Sequence, residues 1–202
     1  MKNRWNQWLL TLAIVAISVA PLKAQPNQFS QAFFNKGDVA ILGNANMGLG
    51  NRSFLFNFRP GIGFMIQNHV MVGFGIGYRY VSNRYQYKEN NLSTRLFARY
   101  YWPLGASQRI SIFVEGLAEV GGGRSRFTDP ITNRHQYTNH NFYELNLSPG
   151  INIPLSRNFA IECQMGILNY YHTRIGNITD KGLHYDISLS SSRIGFIYRF
   201  RK

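Results

Sequence analysis

Residues 52–66 read "RSFLFNFRPGIGFMI". From Phe54 onward every second position is bulky or apolar: Phe54, Phe56, Phe58, Pro60, Ile62 and Phe64. Asn57, Arg59, Gly61 and Gly63 sit between them. A period of two is the mark of a β-strand with one apolar face and one polar or small face. The fold turns on what the apolar face touches, a protein core or lipid.

The 202 residues are 45% hydrophobic and 15% aromatic, with 15 Phe, 12 Tyr and 19 Gly, which favours one densely packed β domain. A single cysteine, Cys163, excludes an internal disulfide framework or a multi-Cys metal site. Lys2 and Arg4 precede a short apolar run, "WLLTLAIVAISVA" (8–20), and then "PLKAQ". This pattern predicts a secretory signal peptide over residues 1–24, with the cut after Ala24. Residues 25–36 are expected to be a periplasmic N-terminal segment and 37–202 the barrel domain. Past residue 25 no stretch approaches the roughly 20 apolar residues of a membrane helix, so a membrane protein built from this chain has to be a closed β-barrel.

Alternation predicts eight strands, near 38–47, 52–66, 70–82, 92–103, 109–122, 141–154, 158–171 and 185–200. The connections alternate in length. "GLGN", "NRYQYKENN", 123–140 and 174–184 form one set, and "QNH", "PLGASQ" and "SRN" the shorter one. An up-and-down antiparallel barrel sorts its loops this way.

Three features favour a lipid-facing exterior over a lipocalin, whose apolar face points inward. Gly61, Gly63, Gly73, Gly75 and Gly77 lie on the polar face, where a narrow lumen has room only for small groups. Aromatic residues gather toward the two ends of the strands. Tyr78, Tyr80, Tyr143, Tyr170, Tyr171 and Tyr185 lie toward the long loops, and Tyr100, Trp102, Tyr198 and Phe200 toward the short turns, as two interfacial girdles would. The polar face also carries both signs of charge: Arg59, Arg79, Arg95, Arg99 and Arg193 with Glu115, Glu119, Glu144 and Glu162. Counting across the turn at 103–108 places Arg99 near Phe113 and Arg95 near Leu117, each one diagonal step from a Glu. The expected fold is therefore an all-β, eight-stranded antiparallel up-and-down transmembrane barrel with a paired charge network inside. Ile167 is expected on the apolar face, and so is Cys163 as a small hydrophobe facing lipid.

The "KAQ" leader ending, the Gly-aromatic stretch "GFGIGYRY" and the terminal "RIGFIYRF" resemble the small OmpA/OmpX-like outer-membrane β-barrels, from about residue 37 to the end. The resemblance implies an outer-membrane location and recognition of the last strand by the barrel-insertion machinery. Here Arg201 and Lys202 follow Phe200, a departure from a terminal Phe.

An eight-stranded barrel is filled by its own side chains, so an open pore is not expected. The leading reading is a structural or surface-interaction protein acting through its outer loops. Candidate contacts are Arg124, Arg126, Arg134, Arg174 and Lys181, against Asp129 and Asp180. Removing Lys2, Arg4 and Lys23 leaves about +10 of the formal +13, which suits outer-membrane lipids and lipopolysaccharide. No nucleic-acid partner, cofactor or metal site is expected, and the protein is expected to be a monomer. Two alternatives stand beside this reading. "HTRIGN" at His172 resembles the catalytic region of barrel lipid A deacylases, but position 174 is Arg where they carry Ser, and Thr173 would face the opposite side. Ser125, Asp129 and His135 are a second conceivable catalytic set. The other alternative is a soluble lipocalin-like lipid-binding barrel.

Overall fold

The computed structural model describes residues 33–49, 53–83, 87–104, 110–129, 134–176, 178–186 and 192–200. Ten strands follow in order: β1 (Val39–Leu49), β2 (Ser53–Gln67), β3 (Val70–Asn83), β4 (Tyr87–Leu104), β5 (Ile110–Thr128), β6 (His135–Pro154), β7 (Phe159–Gln164), β8 (Ile167–Ile175), β9 (Ile178–Asp186) and β10 (Arg193–Phe200). Neighbours run β5-β4-β3-β2-β1-β10-β7-β6, and the β5–β6 pairing closes the ring. All pairings are antiparallel. The ring has eight strands, because β7 and β8 are two parts of one strand along β6. β9 continues beside β8.

The two faces follow residue parity. On β4 Leu96 is 67% exposed, while Arg95 and Arg99 on either side are each 2% exposed. Phe58, Ile62 and Phe64 of the opening stretch point outward, and Arg59, Gly63 and Met65 are buried inside. Phe74, Ile76, Ile112, Val120, Leu145, Leu147, Ile194 and Phe196 extend the outward apolar belt. A contiguous belt of this size is far beyond the exposed patches of soluble monomers. In a closed barrel it is the surface that acyl chains cover.

Several expectations are corrected. The seventh strand is interrupted. Gln164 faces Gly150 and Leu168 faces Leu147, so β7–β8 holds one residue more than its partner, a bulge at Met165–Gly166 with Gly166 at φ 75°. The bulge reverses parity, and Ile167 turns inward opposite Asp186 instead of facing lipid. Tyr171 also faces inward, lying across Gly182, while Tyr170 faces outward beside Tyr143 at 6.1 Å. Adjacent residues of one strand cannot share a face. The β4–β5 register is shifted by two residues from the counted one: Arg99 faces Glu115 and Arg95 faces Glu119 directly. Pro103 stays in the ladder opposite Ser111, which moves the hairpin centre. The segments 83–91, 123–140 and 174–184 are mostly strand, because the hairpins run on past the belt.

Residues 1–24, 25–32, most of the serine-rich run before Arg193, Arg201 and Lys202 lie outside the described residues. Phe33 and Phe34, assigned by sequence to a segment ahead of the barrel, are buried in it. Phe34 packs 4.5 Å from Tyr101, and the Arg199 guanidinium sits 4.8 Å over Phe33. The apolar interior at the short-turn end accepts both rings.

Candidate functional site

Two regions carry the chemistry: the filled interior and the strand extensions beyond the belt.

The interior is built around Arg99, whose side chain is about 1% exposed. Its Nε donates to Glu115 Oε2 at 2.6 Å, and Nη1 donates to Glu162 Oε2 at 2.7 Å and to the Tyr101 hydroxyl at 3.2 Å. Tyr101 and Asn152 donate in turn to Glu162 Oε1. Phe97 and Phe113 flank the guanidinium, with ring centres 5.3 and 5.0 Å from its carbon. The close fit has a backbone condition: a Cβ at Gly73 would fall 2.3 Å from both Ile62 O and the Phe97 ring. Toward the short turns Arg199 pairs with Asp38 at 3.3 Å.

Farther out, Arg59 pairs with Glu119 at 3.3 Å, and Ser93 donates to Glu119 Oε1 at 2.6 Å. Arg95 donates to the Arg59 carbonyl at 2.6 Å. Arg193 lies within Coulombic reach of Arg59, Arg95, Glu115 and Glu119. Glu144 accepts from Asn146 and Asn169, each at 3.5 Å. The cavity between Arg59, Ser93, Glu119 and Glu144 holds about 10 Å³, the space of one water. Of the charges expected inside, Arg79 alone is exposed; it sits at the outer mouth beside Glu89 and not in the filled core.

Lys88 and Asn90 point outward on β4, so Tyr87 and Glu89 lie on the inward face beyond the belt. Tyr87 donates its hydroxyl to Glu89, Asn91 Nδ2 donates to Glu89 Oε1 at 2.6 Å, and His140 Nε2 bonds Asn91 Oδ1 at 2.7 Å. Burial and the neighbouring Glu89 carboxylate push the Tyr87 phenol up to about 12. Burial works to raise Glu89, but hydrogen bonds from Tyr87 and Asn91 and the charges of Arg79 and His140 hold it below its ordinary value. Sequence reading missed this chain, along with Tyr101, Asn152 and the Asp38–Arg199 pair. Parity was the available signal, since Tyr101 shares the face of Arg99 and Glu89 that of Asn91.

The expected girdle residues Tyr78, Tyr80, Tyr100, Trp102, Tyr143, Tyr170, Tyr185, Tyr198 and Phe200 all point outward, with Tyr100 and Trp102 4.4 Å apart. The expected loop contacts sit on strands or next to them. Arg124 lies 4.1 Å over the Tyr137 ring, Arg126 shares its face, and Arg174 Nε donates to Gly176 O at 3.2 Å. Arg134 and Lys181 are exposed. The deacylase-like residues diverge: His172 faces outward beside Tyr143, and Thr173 faces inward opposite Asp180. Ser125 donates to Thr138 O and His135 bonds Thr128, so neither addresses the other.

The closed eight-stranded ring with lipid-facing aromatics is the architecture of an integral outer-membrane β-barrel protein. No family model and no functionally curated protein matches the sequence. Among solved structures, a major outer membrane protein from Thermus thermophilus shares this fold at a TM-score of 0.52 and 13% identity, over 81% of this chain and 98% of that one. OprG of Pseudomonas aeruginosa aligns at 0.46 and 12% identity, over 85% and 100%. The N-terminal β-barrel domain of P. aeruginosa OprF aligns at 0.44 and 12%, over 82% and 98%.

Two predictions follow from the charges. Arg99→Met leaves Glu115 and Glu162 buried without their cation and is expected to cost about 3–5 kcal/mol in urea unfolding of the refolded barrel. Replacing all three, as Arg99→Met with Glu115→Gln and Glu162→Gln, removes the stranded charges and should recover most of that loss. The Tyr87 hydroxyl should titrate near pH 12, above the usual tyrosine value of about 10. A raised folded pKa means that its contribution to stability is intact below the unfolded value and is lost as pH climbs through the folded one. The phenolate difference spectrum between the protein and Tyr87→Phe measures this directly.

Proposed function

We propose that the protein is a sealed, non-enzymatic, monomeric outer-membrane barrel that works at the cell surface by engaging anionic lipid headgroups beside it. The carrying observation is the sorting of charge beyond the belt. Outward positions hold Lys88 on β4, Arg124 and Arg126 on β5, Arg174 on β8 and Lys181 on β9. Among the described residues of these strands and β6, no carboxylate faces outward: Glu89, Glu144, Asp180 and Asp186 all point in. On the outward face Lys88 lies two steps past Leu92, Arg124 and Arg126 two and three steps past Val120, Arg174 two past Tyr170 and Lys181 one past Leu183. Cations at that height meet the phosphates of an anionic leaflet, at about 1 kcal/mol each near the surface. The filled interior supports a role other than passive diffusion.

The test is the salt dependence of stability in lipid vesicles. The protein should be more heat-stable in vesicles containing phosphatidylglycerol than in neutral phosphatidylcholine vesicles. High salt should erase the difference, and so should the combined variant Lys88→Gln, Arg124→Gln, Arg126→Gln and Lys181→Gln. Equal stability in both lipids would refute the reading.

A further inference from the structure

We infer that the cleft beside Asn139, Asn141 and Arg174 is a stoichiometric site for one phosphorylated-sugar headgroup of a membrane-anchored glycolipid. The inference rests on the headgroup-contact reading and adds to it a defined site and a ligand class.

The cleft arises from unequal hairpins. β8–β9 turns back at Gly176, which has φ 59°, while β6 runs on from His140 to His135. The last β6–β8 pair is His140 with Ile175, so beyond it β6 has β5 on one side and the notch on the other. The space holds about 270 Å³ and is lined by Asn139, His140, Asn141, Arg174 and Gly176. Small-molecule pockets run from roughly 300 Å³ upward, so this space suits a sugar-phosphate unit and not a whole lipid.

Its donors match that unit. Arg174 commits Nε to the Gly176 carbonyl. That bond holds the guanidinium in place and leaves its terminal nitrogens to fork onto a phosphate. Asn139 and Asn141 stand two residues apart on the outward face of β6 and offer amide donors and acceptors to sugar hydroxyls. His140 between them faces inward and is occupied by Asn91.

The surface below the cleft fits the anchor. One step down the same face, Tyr143 and His172 lie with ring centres 6.4 Å apart, and Tyr170 is 6.1 Å from Tyr143. The next step down pairs Leu145 with Tyr170 and the one after it Leu147 with Leu168, the three leucines all exposed on the lipid-facing belt. The stripe thus grades from Leu through aromatic rings to amide and guanidinium, as an amphiphile does from acyl chain through interface to headgroup.

Native mass spectrometry from detergent micelles tests the site, with diphosphorylated lipid A as probe and phosphatidylglycerol as the sugar-free comparison. The expected result is a 1:1 lipid A adduct, at least tenfold depleted in Asn139→Ala/Asn141→Ala/Arg174→Gln and retained in Arg157→Gln, which removes an exposed cation at the short-turn end. Heat-modifiable migration of both variants controls for folding. The proposal is overturned if no adduct forms, if the cleft variant keeps it, or if phosphatidylglycerol binds as tightly. Absence of the adduct from the unaltered protein, with its vesicle stabilisation intact, would sink this site alone, whereas absence of both would remove the headgroup-contact reading as well.

Discussion

A guanidinium stripped of water needs its counter-charges within bonding distance, and inside an eight-stranded ring there is no bulk water to substitute for them. Arg99 meets this demand with Glu115 on β5 and Glu162 on β7. The β4–β5 hairpin is thereby tied across the lumen to β7. Phe97 and Phe113 fill the space around the ion pairs, and glycine at position 73 allows Phe97 to lie where it does. The barrel's core is thus electrostatic at its centre, with Phe97, Phe113 and Leu117 packed among the charges, and becomes apolar toward the short turns, where Phe33, Phe34, Met65 and Met71 gather. The fold inverts the usual arrangement because its apolar residues are needed outside.

The alternation that serves the membrane also organises the surface. Beyond the belt it continues to separate neighbours in sequence: Lys88 outward and Glu89 inward, Lys181 outward and Asp180 inward. A chain with a modest number of carboxylates can therefore present an outward face whose charges, among the described residues of β4, β5, β6, β8 and β9, are all positive. The inward acids are not idle, since Glu89 anchors the hydrogen-bond chain through Tyr87, Asn91 and His140 that stiffens the outer hairpin. The height of the cations and the polarity of the cleft both follow from how far each hairpin runs before it turns.

Whatever depends on parity alone was legible in the sequence. The opposite faces of Leu96 and Arg95, the inward glycines and the outward girdle residues of strands without an insertion, such as Tyr78, Tyr100 and Trp102, are read by counting in twos. What depends on an insertion was not. A single extra residue at Met165–Gly166 reverses every later position of that strand, so Ile167 and Tyr171 lie on the face opposite to the one that counting gives. Register across the fourth hairpin also escaped, because Pro103 looks like a turn residue yet remains paired. The polar hairpin extensions carry no apolar alternation, so they read as loops although backbone pairing continues through them. The cleft was invisible for the same reason, since it exists only as a difference in length between two such extensions.

The central claim is that the alternating apolar face meets acyl chains while the charged face is sealed inside. Site-directed spin labelling in a bilayer tests it most directly. With Cys163→Ala as background, labels introduced by Leu96→Cys and Ile112→Cys are compared for relaxation by oxygen, which concentrates in the acyl region, and by a water-soluble nickel chelate. The account predicts high oxygen and low nickel accessibility at both positions, and the reverse for a label at Lys88→Cys. High nickel accessibility at Leu96 and Ile112, or failure of the folded protein to insert, would contradict it and return the apolar face to the inside of a soluble barrel.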